Sequence, residues 1–80
     1  MKLCAGLYKI PEMFPSEFCF PNGFKISNHI DERIFVNLTG SREFYQGIDK
    51  DESVCLWLEE GMFLKVTGAV EIVMFNPENE

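Results

Sequence analysis

An all-β fold of about six to eight short strands is predicted by three features of this 80-residue sequence. Apolar and polar residues alternate in several short runs, as they do along half-buried strands. Gly, Pro and Asn residues separate these runs at positions suited to tight turns. A hydrophobic content of 46% with eight Phe excludes a disordered chain. We therefore expect residues 1–80 to form one domain, as either a small antiparallel meander with a barrel-like shape or a two-layer sandwich.

A helix at about residues 50–60 is the alternative, and it would make the fold α+β. Asp49 could cap such a helix, Glu52 could complete a capping box and Gly61 could end it. The helix would, however, place Leu56 among glutamates on its solvent side. A strand leaves no such misfit, so the strand is preferred.

The strongest pattern covers residues 54–75, which predict a meander of three consecutive antiparallel strands. The strands would span residues 54–58, 62–66 and 70–75, joined by three-residue loops that each contain Gly. In this register Lys65 lies opposite Glu71, an ion pair that would favour the pairing. Because side chains alternate across a strand, one face of the meander collects nine aliphatic residues: Val54, Leu56, Leu58, Met62, Leu64, Val66, Val70, Ile72 and Met74.

The rest of the chain predicts further short strands. Residues 2–10 indicate one strand, and residues 17–27 indicate a hairpin around a Pro-Asn-Gly turn. Residues 33–46 indicate a second hairpin, residues 47–53 a charged loop, and residues 76–80 a polar tail.

Charge and cysteine content restrict the classes of partner and compartment. A formal net charge of −6 with only seven scattered basic residues argues against binding to nucleic acid, because phosphate binding needs clustered Lys and Arg. An acidic surface favours attraction to a basic patch on another protein. Cys4, Cys19 and Cys55 cannot all pair and lack metal-knuckle spacing, so we expect reduced thiols in the cytoplasm. The apolar run before Lys9 is too short for a signal peptide or a membrane span.

No catalytic, cofactor or metal site is predicted, and we do not expect an enzyme. Four oxygen-bearing residues fit positions 1, 3, 5 and 12 of a calcium loop: Asp49, Asp51, Ser53 and Glu60. Position 6 of that loop requires Gly, and this chain has Val54 there. His29 is the only histidine and lies in a polar connector, so a surface role is expected.

The outer face of the predicted meander is the candidate binding surface. Its apolar members are Trp57, Phe63, Val73 and Phe75. Its acidic rim is Glu59, Glu60 and Glu71. Exposed aromatic residues are typical of interface hot spots. The alternative is that this stripe forms a second core layer beneath the hairpin at 17–27.

Two functions are compatible with these features. The first is a small acidic cytosolic protein that binds another protein stoichiometrically, as an inhibitor, a regulator or an assembly factor. The second is a self-associating small β-barrel subunit that binds a ligand or nucleic acid. The expected partner is another protein with a basic surface, or a further copy of this chain.

Overall fold

The computed structural model describes residues 1–75, which form eight strands. We number them in chain order: β1 (Lys2–Leu3), β2 (Gly6–Lys9), β3 (Asn22–Ser27), β4 (Ile34–Thr39), β5 (Phe44–Ile48), β6 (Ser53–Leu58), β7 (Phe63–Val66) and β8 (Val70–Phe75).

These strands build two four-stranded antiparallel sheets. The first sheet has the order β1-β8-β3-β6, and the second sheet has the order β2-β7-β4-β5. The predicted all-β sandwich of six to eight strands is confirmed. The alternative helix at about residues 50–60 is wrong, because β6 occupies that stretch and buries Leu56 and Leu58 on one side.

The core lies between the two sheets and consists of the inward-facing aliphatic residues. Seven of the nine residues predicted for one aliphatic face are buried: Leu56, Leu58, Met62, Leu64, Val66, Val70 and Ile72. Val54 and Met74 pack partly buried at its margin. The predicted inward face is therefore confirmed.

The predicted meander is wrong in its pairing, although all three of its strands exist. β6 pairs with β3, β7 pairs with β2 and β4, and β8 pairs with β1 and β3. Lys65 lies opposite Leu7 in the second sheet, whereas Glu71 lies opposite Lys2 in the first. The expected Lys65–Glu71 pair is therefore absent.

The predicted pairing is wrong because alternation of apolar and polar residues does not determine which strands pair. A hairpin keeps two strands in one sheet, whereas an arch carries the chain across the core into the facing sheet. Either connection can keep the same aliphatic side chains pointing inward. The pattern of residues 54–75 determines which side of each strand is buried, but not which strand lies beside it.

The predicted hairpin at 17–27 is also wrong. β3 begins at Asn22, inside the predicted turn, and residues 17–21 belong to a loop. Phe18 and Phe20 in this loop pack on the buried ring of Phe24, with ring centroids 5.3 and 5.1 Å away. Aromatic packing in an irregular segment therefore replaces the predicted strand pair.

The β4–β5 hairpin is confirmed, but its turn is longer than predicted. The spacing predicts Val36 opposite Phe44, whereas the structure pairs Leu38 with Phe44. A shift of two residues leaves every side chain on its expected face. The ring of Phe35 stacks on Tyr45 at 5.5 Å and covers Gly47, where a Cβ would lie 2.9 Å from the Phe35 ring.

The two chain ends differ from the prediction in other ways. The single strand expected at 2–10 is divided into β1 and β2, which belong to different sheets. The predicted polar tail at 76–80 lies outside the described residues. Within residues 1–75, no helix has the length and hydropathy needed to cross a membrane.

Asn28 fixes the connections at one end of the sandwich, and it is fully buried. Its side-chain amide donates to the carbonyl oxygens of Glu32 at 2.7 Å and Ile48 at 3.0 Å. Its side-chain oxygen accepts from the backbone N–H of Ile30 at 2.9 Å. One side chain thus joins the loop after β3 to the end of β5. The sequence predicted only a polar connector here.

Candidate protein-binding face

The outer face of the first sheet carries an exposed aromatic pair on either side of a glycine. Gly23 on β3 lies opposite Trp57 on β6 and also opposite Phe75 on β8. The next row of the same face contains Cys55, Lys25 and Val73. We call Trp57, Gly23 and Phe75 the aromatic cleft.

The cleft exists because the central position has no side chain. Trp57 is 43% exposed and Phe75 is 58% exposed, so both rings have free surface. Neighbouring strands are about 5 Å apart, so the two outer strands are separated by about 10 Å at the level of Gly23. A Cβ built on Gly23 would meet only the Phe75 side chain, at 3.9 Å. The floor of the cleft therefore has room for a side chain.

A hydrogen bond orients the tryptophan. Its indole N–H donates to a carboxylate oxygen of Glu59 at 2.9 Å, and the hydroxyl of Ser41 donates to the other oxygen at 3.2 Å. From the sequence, Glu59 is predicted as a member of the acidic rim. It also fixes the position of the ring, which lowers the entropy that binding would cost.

The other predicted site residues are divided between surfaces. Val73 lies beside the aromatic cleft, and Glu71 is on the same strand, 3.3 Å from Nε2 of His29. Glu60 is exposed in the turn after β6. Phe63 instead lies on the second sheet, where the ammonium of Lys9 is 6.0 Å from its ring centroid. The single apolar stripe predicted across three neighbouring strands is therefore wrong, because β7 belongs to the other sheet.

The outer face of the second sheet has a different pattern. Its most exposed apolar residues are Leu7 and Tyr45, at 63% and 66%. In the register of this sheet, Lys65 and Asn37 lie between them. The exposed apolar area there is interrupted by polar groups. On the first sheet, only a glycine separates the two aromatic residues.

Sequence reasoning missed Gly23 and Lys25 as members of the face. Both were assigned to a hairpin at 17–27, and nothing in that stretch indicates that β3 lies between β6 and β8. The one available signal was the alternation of Gly23, Lys25 and Ser27 with buried Phe24 and Ile26. That alternation shows an outward row, but not its neighbours.

Acidic residues dominate the loops, whereas most lysines lie on the strands. An ion pair links the loop before β4 to the loop after β5. Nε and Nη2 of Arg33 donate to the Asp49 carboxylate at 2.8 and 3.2 Å. This hydrogen bond lowers the pKa of Asp49 and raises the pKa of Arg33. Both groups are exposed, so the pair restrains the loops more than it stabilises the fold.

We expect the Arg33–Asp49 ion pair to stabilise the protein at neutral pH but not in strong acid. The pKa of Asp49 is lowered in the folded state, so its contribution is present above the unfolded value of about 3.9 and is lost as pH falls through the folded value. Urea unfolding of the native protein and of Asp49→Asn should therefore differ at pH 7. The two should converge near about pH 2. A difference that is unchanged in acid would contradict this assignment.

Within the described part of the chain, no three His, Cys, Asp or Glu residues are placed to hold a metal ion. Cys4, Cys19 and Cys55 are free and exposed. The chain matches no known protein-family model, no curated protein and no solved structure.

Proposed function

We propose that this protein acts by binding another protein stoichiometrically through the outer face of its first sheet. The observation that carries the proposal is the aromatic cleft, in which an oriented Trp57 and an exposed Phe75 stand on either side of Gly23. An apolar side chain of the partner would enter the cleft and contact both rings. Large aromatic side chains around a small pocket are typical of interface hot spots.

The charge of the chain supports a partner with a basic surface. The net charge of −6 would attract such a surface and raise the association rate, most strongly at low salt. Glu59 and Glu60 directly follow β6, and only Leu58 separates them from Trp57 in the chain. An inhibitor, a regulator or an assembly factor would act in this way, through contact alone and without catalysis.

Capture of the partner tests this proposal. The tagged protein is incubated with an extract of the cells that produce it, and retained proteins are quantified by mass spectrometry. We expect one protein at about 1:1 stoichiometry with the wild type. Trp57→Ala should weaken its binding by about 30-fold or more, which corresponds to about 2 kcal/mol.

Phe63→Ala is the matched control, because it also removes an exposed aromatic ring but from the second sheet. We expect this variant to bind as the wild type does. Thermal melts of both variants confirm that each is folded. Capture of no stoichiometric protein, or equal losses for the two variants, would contradict the proposal. Retention of the chain itself would favour self-association.

A further inference from the structure

β6 is an exposed edge strand with an unusual composition for that position. Among the strands of residues 1–75, it pairs with β3 alone, so its other side has no strand beside it. It spans six residues and contains no charged residue and no Pro. Edge strands are usually protected by charges, Pro or short length. The edge strand β1, at the opposite side of the sheet, has only two residues.

The free side of β6 offers backbone hydrogen bonds to an incoming chain. In an antiparallel pair, alternate residues direct their N–H and C=O groups towards the partner strand, and the others direct them away. About half of the residues of β6 therefore present both groups on the open side. Such a row is a template for the addition of another strand.

Acidic residues mark both ends of this uncharged strand. Asp51 and Glu52 precede it, and Glu59 and Glu60 follow it. The carboxylates would attract positive charge at both ends of an added segment. Because both ends of β6 are flanked by acidic residues, the charges select a segment with basic residues at both of its ends. They do not determine whether that segment runs parallel or antiparallel to β6.

The same charges oppose pairing with a second copy of the chain. A two-fold antiparallel arrangement centred on β6 would place Glu52 of one copy opposite Glu59 of the other, and the reverse. Like charges directly opposite each other destabilise a strand pair. The acidic ends therefore disfavour self-pairing while favouring a basic segment.

We propose that an extended segment of the protein partner adds to β6 as a fifth strand of the first sheet. This segment has about six residues with apolar side chains at alternate positions and Lys or Arg at both ends. The proposal rests on the proposed function and names the chemistry of the partner that it requires.

The side chains on the two faces of β6 explain why the added segment should have apolar residues at alternate positions. On the inner face, Val54 is only partly buried at the margin of the core. An apolar side chain of the added strand would cover it and extend the core. On the outer face, the other row of the added strand would lie beside Cys55 and Trp57, next to the aromatic cleft.

A designed peptide tests the proposal directly. The probe has two lysines, three Val-Thr repeats and two further lysines, with both ends blocked. Amide hydrogen exchange is measured by NMR on the full-length protein with and without the peptide. We expect the outward N–H groups of β6 to exchange rapidly in the free protein and to be slowed about tenfold or more in the complex.

Two control peptides and two protein variants make the result specific. The same peptide with glutamates in place of the lysines should not bind, and neither should a version methylated on alternate backbone nitrogens. Glu60→Lys should weaken binding of the lysine peptide about fivefold at low salt, and less at high salt. Glu17→Lys is the matched variant, because Glu17 is an exposed acidic residue in a loop whose Cys19 N–H contacts Met74 of β8. It should bind as the wild type does.

The proposal would be overturned if the peptide did not slow amide exchange in β6, or if it slowed exchange in β5 instead. Equal binding of the glutamate peptide would also overturn it. If amide exchange in β6 slowed as the protein concentration rose in the absence of peptide, the added strand would come from a second copy of the chain. That result would also overturn the proposal. These results leave the proposed function intact, because that is tested by loss of the natural partner in Trp57→Ala. A partner that needs Trp57 but leaves β6 unprotected would refute the added strand alone.

Discussion

Replacing Asn28 by Leu is expected to lower the melting temperature by about 15 °C or more. The substitution keeps the approximate size of the side chain but removes all of its hydrogen bonds. The carbonyl oxygens of Glu32 and Ile48 and the N–H of Ile30 would each lose a partner. The Ile48 bond is buried, so water does not readily replace it there.

The magnitude follows from the cost of leaving buried polar groups unpaired. Each such group costs about 1–3 kcal/mol, and a total of about 3 kcal/mol is a substantial part of the stability of a domain this small. For a domain of this length, 1 kcal/mol corresponds to roughly 4–8 °C in Tm. Differential scanning calorimetry measures the change.

Asn37→Leu is the matched control, because Asn37 is a partly buried residue on the outer side of β4. We expect that variant to change Tm by no more than a few degrees. Equal changes in the two variants would show that the bonds of Asn28 do not hold the end of the sandwich together.

Gly23→Thr is expected to abolish partner binding while leaving the protein as stable as before, or more stable. The new side chain would occupy the aromatic cleft between Trp57 and Phe75. A Cβ at this position meets only Phe75, at an ordinary contact distance of 3.9 Å. Glycine also weakens a strand, and a β-branched residue stabilises it by up to about 1 kcal/mol. Binding and stability should therefore change independently or in opposite directions.

The control is Ser27→Thr, on the same outer row of β3 but opposite Ser53 and Glu71, away from the cleft. Titration calorimetry with the captured partner should give a Kd close to the wild-type value for this control, and no measurable binding for Gly23→Thr. Wild-type affinity in Gly23→Thr would mean that nothing enters the cleft.

The sequence predicts the faces of the strands well because burial is a local property. Leu56, Leu58 and Leu64 alternate with polar or aromatic residues, and each is buried as expected. The same alternation places Trp57 on the opposite face but does not decide whether that face is exposed or forms a second core layer; Trp57 is 43% exposed, so the second core layer is wrong at this residue. The position of Leu56 also favours a strand over the alternative helix, which would have left Leu56 in solvent, and the structure confirms the strand.

Strand order could not be predicted because it depends on long-range pairing. Gly23 lies between Trp57 and Phe75 only because β3 inserts between β6 and β8. Gly23 thus shares a row with two residues that are each more than 30 positions away from it in the chain. No feature near Gly23 encodes these neighbours, and the local Pro-Asn-Gly signal instead predicts a turn.

Asn28 escaped prediction for a related reason. It stands in a run of polar residues that resembles a surface loop, yet it is fully buried. One of its partners is the carbonyl of Ile48, 20 residues away in sequence. A buried amide that satisfies distant carbonyls has the same local signature as an exposed one, so sequence alone does not distinguish them.

The central claim is that the partner rests on the outer face of the first sheet. NMR cross-saturation from the unlabelled partner to the labelled protein measures this contact residue by residue. We predict strong transfer to the indole of Trp57 and the methyl groups of Val73, with none to the methyl groups of Leu7 on the second sheet. Transfer to Leu7 without transfer to Val73 would place the partner on the opposite face and would contradict the account.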